Sequence, residues 1–577
     1  MSLVLEKKSV LEILKEIGVL LELAGENPFK TRAYETAARN LEARSESLED
    51  LIESGGLGTI KGIGKALEEK IVTLARSGEL DYYSNLKSRF PDSLLQLLKV
   101  PNLGPKKAKA VYDKLGIDSL DKLKKACEEE KVRGLPGFGA KSEEKILAGI
   151  EHVQKYAARV LLPVAEEAAE PLLAMLQDHP QTIRATLCGS LRRRRETVKD
   201  IDLLASSKSP EKVLKSFVEH DSVASVVAHG DTKASVILKN GMNADLRVVS
   251  DEEFPFAQHY FTGSKDHNTL MRGRAKDRGL RMNEYGYYKE DETRVGCKDE
   301  KAIFKKLDLQ YIPPELREGL REFEWAEKGE IPDLIGYDDL KGTLHCHTTA
   351  SDGKATLEEM AKAAEELGYE YLGIGDHSKS AAYARGLDEK RLEKQCREID
   401  AFNMKSKGIR ILKGSEVDIL KNGSLDFAEG VLAELEYAVA SVHSQMNLDE
   451  KEMTKRLIRA IESPGITFLG HLTGRLLLRR EPFPLNVAKV LDATAENGKW
   501  IEINANPHRL DLDWRACFDA RDRGILLCIN PDAHSAQGIA DNRFGIDVAR
   551  RGGLSKEDVA NTRPLKEFLS LLKKTRS

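Results

Sequence analysis

Apolar positions recur at helical spacing in the first part of the chain. Leu11, Leu14, Ile17, Leu20, Leu21 and Leu23 form one stripe, and Ala33, Ala37 and Leu41 continue it, so residues 8–52 are expected to build a helical core. Further on the pattern shortens to strand-length runs. One runs from Ala185 to Cys188, another opens at Asp200-Ile201-Asp202, and a third, Ala244 to Val249, follows the hairpin-like Asn240-Gly241. After residue 340 apolar runs end repeatedly in ligand-type side chains, with helical segments such as Leu357 to Leu367 and Lys451 to Ile461 between them. Such an alternation predicts a βα barrel with its site at one mouth.

Length and charge refine this picture. A chain of 577 residues is expected to hold roughly four domains. The net charge is -4, yet residues 56–155 carry 19 Lys/Arg against 14 Asp/Glu, so nucleic-acid contact is expected to be local. Seven cysteines show no CxxC and no disulfide spacing, which suits a reducing cytosol. No signal peptide and no run of eighteen uninterrupted apolar residues is present, so a cytoplasmic monomer without a membrane partner is expected.

A short motif recurs three times: Gly62-Ile63-Gly64, Asn102-Leu103-Gly104 and Gly137-Phe138-Gly139, followed by Lys65, Lys106-Lys107 and Lys141. In each copy both flanking positions are expected to take positive φ around an apolar plug, aiming helix N-terminal amides at a phosphate. The motif resembles the helix-hairpin-helix, which binds DNA backbone without reading sequence. The first copy lies in Lys61-Gly62-Ile63-Gly64-Lys65-Ala66-Leu67-Glu68-Glu69-Lys70-Ile71, which resembles the small N-terminal domain of polymerases of the beta type. That resemblance implies a Schiff-base lysine at Lys70 for 5'-deoxyribose-phosphate lyase chemistry, with Lys30 and Tyr34 in support. The chain departs from the pattern at Phe29, where a stacking histidine is common, and at Ala66, where a second lysine stands.

Asp200 and Asp202 share a strand face, and two adjacent carboxylates call for a divalent cation, magnesium or manganese. Gly189 lets backbone approach a polyphosphate, Ser190 offers a hydroxyl, and Arg193 is expected to grip phosphate bidentately. Asp245, on the later strand, supplies a third carboxylate. The stretch from Cys188 to Asp202 resembles the nucleotidyltransferase palm of family X DNA polymerases, whose chemistry is two-metal nucleotidyl transfer. The resemblance extends to Arg159 as a triphosphate contact and to Tyr260-Phe261-Thr262-Gly263-Ser264, where the aromatic pair packs under the incoming sugar. It also assigns Asn268 to the minor-groove edge of the base and Arg272 to the template strand. Asn243 stands where an arginine near the primer terminus is usual.

His345, His347, Asp352, His377, Glu416, His443, His471, Asp532 and His534 exceed what one ion can use, so two or three ions, zinc or manganese, are expected. The series resembles the polymerase and histidinol phosphatase (PHP) domain, a distorted (βα)7 barrel that cleaves phosphoesters. His345 and His347 are expected to share a strand face as neutral imidazole ligands, and Cys346, between them, to face away. The implied fold is multidomain: α-helical N-terminal domains with helix-hairpin-helix motifs, an α+β palm and thumb, and the PHP barrel. The expected boundaries are a lyase-like domain at 1–85, a hairpin domain at 86–155, palm at 156–250, thumb at 251–325, linker at 326–338 and PHP barrel at 339–577. The implied function is gap-filling DNA polymerisation from dNTPs on gapped or primer-template DNA. The barrel would act as a 3'-5' exonuclease, 3'-phosphatase or abasic-site endonuclease. A DNA-end-binding scaffold with structural metals, and a fused small-metabolite phosphatase, are the alternatives.

Overall fold

The computed structural model describes Leu5, residues 7–42, Arg44, residues 48–98, Val100, residues 103–156 and residues 159–576. Two compact units divide the chain, residues 1–157 and 158–577. Among the described residues no helix is long and apolar enough to cross a membrane.

The first unit is all helical. Its leading helices are Lys7–Leu23, Pro28–Glu42 and Leu48–Glu53, and Leu14, Ile17, Leu20 and Leu23 are fully buried. In the second helix the buried stripe is Tyr34, Ala37, Ala38 and Leu41, while Ala33 is exposed. The i, i+3, i+4, i+7 register starts one residue later than expected, because the large Tyr34 ring takes the inward position. The hairpin motifs also differ from expectation. Gly62 and Gly137 have positive φ, at 92° and 82°, but Gly64 and Gly104 are extended N-caps at −87° and −67°. One left-handed residue suffices to turn the chain, and the second glycine opens the helix. Ile63 and Leu103 plug the core. Asn102 lies outside the described residues.

The second unit begins with a five-stranded sheet in the order Thr182–Leu187, Asp200–Ser207, Asn243–Val249, Lys233–Leu238, Val223–His229. Only the pair Asp200–Ser207 and Asn243–Val249 is parallel. Strand alternation sorts the faces: Ile201, Leu203 and Ala205 pack with the helices Leu162–Asp178 and Pro210–Val218, whereas Leu204 packs against Phe254 and Ala257 of the helix Phe254–Thr262. A separate cluster around Phe256, Met271, Tyr287 and Phe304 forms the next subdomain.

The C-terminal region has two parallel sheets. Strands Gly342–Cys346, Tyr371–Ile374 and Arg410–Lys413 form one, and Glu416–Asp418, Val439–Ser441, Phe468–Leu469, Trp500–Asn504 and Leu527–Asn530 the other. Bridges His377 to Glu416 and Cys346 to Ala533 join them into a ring. Arg410–Lys413 and Glu416–Asp418 are one strand path broken at Gly414-Ser415, so seven positions surround the barrel. A Cβ on Gly414 would lie 2.1 Å from the Tyr437 ring, so the chain passes close against this ring at the break. The helix Leu565–Thr575 closes the end where strands begin, with Phe568 stacked at 4.4 Å on Tyr371. The ligand-bearing end stays open.

The expected linker at 326–338 is not a free connector. Helix Glu322–Lys328 covers its start, Ile335 is fully buried, and the Ile335 N–H donates to Leu554 O at 3.0 Å. Ile331 and Leu334 pack on the cluster around Phe256 and Phe304, while Ile335 joins the core that contains Leu554.

Candidate functional site

In the palm, Asp202 and Asp245 are register partners on the two parallel strands, with Asp200 two residues before Asp202. Burial, then the neighbouring Asp200 and Asp245 carboxylates, push Asp202 up to about 7. A carboxyl so destabilised as an anion is suited to a cation partner. Lys233 offsets part of the charge, its Nζ lying 2.8 Å from Asp245 Oδ2, a contact that the sequence did not signal. Gly189 has φ 60°, and a Cβ there would sit 1.9 Å from Asp202 Oδ2. Glycine is therefore required for the carboxylate as well as for backbone approach. The turn is a single helical turn, Gly189–Arg192.

A cleft of about 570 Å³ joins Gly189, Asp200 and Asp202 to Arg159, Ser190, Arg193, Tyr260, Phe261, Gly263, Asn268 and Arg272. Arg159 donates to Thr197 Oγ1 at 2.9 Å. Arg193 departs from the expected bidentate grip. Its Nε donates to Glu318 at 3.2 Å and its Nη1 to Thr262 O, so both edges of its fork are engaged within the protein. Tyr260 and Phe261 meet edge to face at 5.2 Å at the end of their helix, and Arg247 lies 5.0 Å from the Phe261 ring. Asn268 Nδ2 donates to Tyr260 O at 2.7 Å, and its buried Oδ1 has no partner among the described residues. Arg272 is exposed and reaches Thr269.

All nine expected barrel ligands converge at the open end. Overlapping donor groups comprise His347, Asp352, His377 and His534; His345, His471 and Asp532; His345, His347 and Glu416; and His377, Glu416 and His443. Glu416 is 1 % exposed and approaches His471 Nε2 at 2.9 Å and His443 Nε2 at 3.1 Å. Among the described residues, His345 Nε2, both His347 ring nitrogens, His377 Nδ1 and Glu416 Oε2 are buried without a hydrogen-bond partner. His377 Nδ1 is 2.9 Å from Glu416 Oε2 yet unaligned for a hydrogen bond. Atoms that crowd together without donating to one another fit a shared set of cations. His345 and His347 do not share a regular strand face: His345 has φ 55°, and the pairing register shifts between Thr343 and Cys346. This bulge brings the two rings within 5.3 Å. Cys346 is buried and outside the donor groups.

Acids that carry no motif in the sequence surround these side chains. Glu502 accepts from the His471 N–H at 2.8 Å and pairs with His345 Nδ1 at 2.6 Å, and Asp418 holds His443 Nδ1 at 2.9 Å. Asp376 accepts from Thr348 N–H and hydroxyl at 2.9 and 2.7 Å. Burial would lower His345, but Glu502, Glu416 and Asp532 outweigh it and hold the imidazole well above its usual value. Asp418 was legible as the strand-face neighbour two residues after Glu416. Glu502 lies on the one strand of the ring that contributes none of the nine expected ligands.

In the first unit, Lys70 Nζ donates to Tyr34 Oη at 2.7 Å and lies 3.6 Å from the Tyr82 ring centroid. Burial and then the Lys30 charge lower its pKa. Tyr82 lies beyond the sequence motif that contains Lys70. Lys65, Lys106 and Lys141 are exposed, and Gly64, Gly104, Gly137 and Gly139 have open space where a Cβ would be.

A Bacillus subtilis (strain 168) protein named DNA polymerase/3'-5' exonuclease PolX is 38% identical over 573 residues, 99% of this chain and 100% of that one. The chain belongs to the family X DNA polymerases with a C-terminal PHP domain. Family models match this polymerase at residues 6–80 (Helix-hairpin-helix domain), 94–151 (SAM-like Helix-hairpin-helix tandem), 257–318 (DNA polymerase beta thumb) and 343–506 (PHP domain). A probable phosphatase of Thermoanaerobacter sp. (strain X514) is 29% identical over 245 residues, 40% of this chain and 95% of that one. A solved ternary P/T complex of Leishmania infantum polymerase beta aligns with 39% of this chain and 100% of that one, at 23% identity and a TM-score of 0.27. This family X polymerase thus joins a nucleotidyltransferase to a phosphoesterase, two domain types that depend on metals in general.

Proposed function

We propose that this protein is a cytoplasmic, monomeric gap-filling repair polymerase whose barrel trims DNA from the 3' end. The palm takes dNTPs with magnesium or manganese at Asp200, Asp202 and Asp245, and the barrel holds two or three zinc or manganese ions. When bound, such ions supply Lewis-acid charge that stabilises a transferring phosphoryl group. The chain itself provides the rest. Gly189 and Ser190 offer backbone and hydroxyl donors beside the carboxylates, Arg159 adds positive charge, and Tyr260 and Phe261 wall the cleft on the sugar side. In the barrel, Glu502 and Asp418 orient His345 and His443 so that their other ring nitrogens face inward.

The observation that carries this reading is the presence of two separate sets of cation-binding side chains in one chain, the three palm carboxylates and the nine imidazole and carboxylate groups of the barrel. The Bacillus relative's name supports the pairing of activities. Lys70, with its lowered pKa, supports a lyase step on an incised abasic site, and the open hairpin glycines support sequence-independent hold on DNA. Primer extension on a one-nucleotide-gapped duplex, compared with an open primer-template, tests the repair role. Faster incorporation at the gap is expected; equal rates would contradict gap filling while leaving polymerisation intact.

The likeness to probable phosphatases favours a second reading, in which the barrel acts on small phosphoesters. Hydrolysis of small phosphomonoesters without any DNA shortening would select it.

A further inference from the structure

Tyr383, Arg479, Arg480 and Arg509 stand at the barrel mouth outside the ligand set. Tyr383 is 71% exposed, yet its ring lies 6.2 Å from His377 and 6.4 Å from His443. Its turn, Ala382–Ala384, is firmly seated. Ala381 and Ala384 are buried, the Leu387 N–H donates to His377 O at 2.7 Å, and Ser380 donates through N and Oγ to Asp426 at 2.7 and 2.6 Å. A Cβ on Gly386 would lie 1.9 Å from Ser378 O, so the chain closes tightly behind the ring. The fold thus presents a large aromatic face to water beside the cluster on an anchored loop.

The arginines follow other strands. Tyr383 follows the second strand of the ring, Arg479 and Arg480 the fifth, and Arg509 the sixth, which places their loops across the mouth from that of the tyrosine. Arg479 and Arg480 lie in a turn closed by Leu476 and Arg480, which exchange backbone hydrogen bonds at 2.8 and 2.7 Å around a left-handed Leu478. The Leu477 N–H donates to His508 O at 2.6 Å, tying that turn to the Arg509 loop, and Arg509 Nε lies 3.3 Å from Asp532 Oδ2. Burial first and then the Arg509 charge lower Arg480, whose Nε donates to Gly474 O at 2.9 Å.

We propose that these groups form a subsite for the terminal nucleotides of single-stranded DNA: Tyr383 stacks on the end base, and Arg479, Arg480 and Arg509 take the phosphates that lead away from it. The inference rests on the phosphoesterase reading of the barrel and names its substrate class. Every base offers a face for stacking, so an aromatic platform tolerates any sequence, and planar guanidinium groups match phosphate oxygens. Duplex ends keep their bases stacked on one another, and a small phosphate has no base to place, so neither uses the exposed ring.

The test uses the full chain with two readouts. One is fluorescence quenching of a 3'-terminal 2-aminopurine in a short single-stranded oligonucleotide, after chelation. The other is the kcat/KM ratio for that oligonucleotide over bis(4-nitrophenyl) phosphate, with manganese. Tyr383→Ala is expected to abolish the quench and lower the ratio about tenfold, within the range for one stacked base. Tyr383→Phe keeps the ring and is expected to restore both. Arg479→Ala combined with Arg480→Ala should reduce the salt dependence of oligonucleotide binding by about 1.4 in logarithmic slope, as for two phosphate contacts. An unchanged quench and ratio in Tyr383→Ala would overturn the subsite. If wild type hydrolyses neither compound, the barrel reading fails, and the quench alone then decides whether the ring binds DNA.

Discussion

Arg194 and Asp547, 353 residues apart in sequence, form a two-pronged ion pair, Nε to Oδ1 at 2.8 Å and Nη2 to Oδ2 at 2.7 Å. The pair joins the palm's arginine turn to the barrel helix Asn542–Arg551. Two neighbours reinforce it: Tyr337 Oη donates to Asp547 at 2.5 Å, and Arg551 Nη1 donates to Arg193 O at 2.6 Å. The barrel therefore helps to fix the turn that follows Gly189-Ser190.

Asp547→Asn should weaken both structure and nucleotide binding. Asp547 is almost fully buried, and removing one charge of a buried pair costs about 3 kcal/mol, the low end of the usual range because Glu166 still accepts from Arg194. Denaturant unfolding should report the loss, and KM for dNTP should rise several-fold. An unchanged KM would mean that the barrel does not brace the palm.

Gly189→Ala should remove polymerisation without altering any reacting group. The new methyl would overlap Asp202 Oδ2 and occupy a left-handed position, so either the strand or the turn must shift. A loss of about a hundredfold in kcat is expected, on the scale seen when catalytic groups are misplaced by about an ångström. Primer extension measures it, with barrel hydrolysis on the same sample as the control for folding.

Much of this was legible because the chemistry is locally spaced. Asp200 and Asp202 alternate on a strand, and the expected barrel ligands lie on a strand or in the loop that follows its end. What the sequence could not convey depends on tertiary neighbours. Arg193 reads as a phosphate fork, but its partners Glu318 and Thr262 come from distant segments. His345 and His347 read as an ordinary alternating pair, whereas a bulge brings them together. Tyr82 and Glu502 carry no motif at all; only packing places one beside Lys70 and the other beside His345.

Glu502→Gln should lower metal affinity of the barrel about 10- to 100-fold, the usual effect of losing the carboxylate behind a ligand histidine. Competition with a chromogenic chelator measures this directly. Retained affinity would make Glu502 a packing residue only.

The lyase reading predicts a pH profile. Imine formation needs a neutral amine, and burial with the Lys30 charge lowers the Lys70 pKa, so trapping should begin at lower pH than for a free lysine. Lys30→Gln removes a like charge, which raises the Lys70 pKa and moves the profile to higher pH. Borohydride trapping on an incised abasic site reads the midpoint. Lys70→Ala should give no adduct, and a profile unmoved by Lys30→Gln would contradict the coupling.

The central claim is that one chain holds two independent phosphoryl-transfer sites. Product lengths on a labelled one-nucleotide-gapped duplex, followed in manganese with and without dNTPs, test it most directly. Wild type should extend with dNTPs and shorten without them; Asp202→Asn should only shorten, and His345→Ala with His347→Ala should only extend. Loss of both activities in either variant, with the fold intact, would contradict two separate sites.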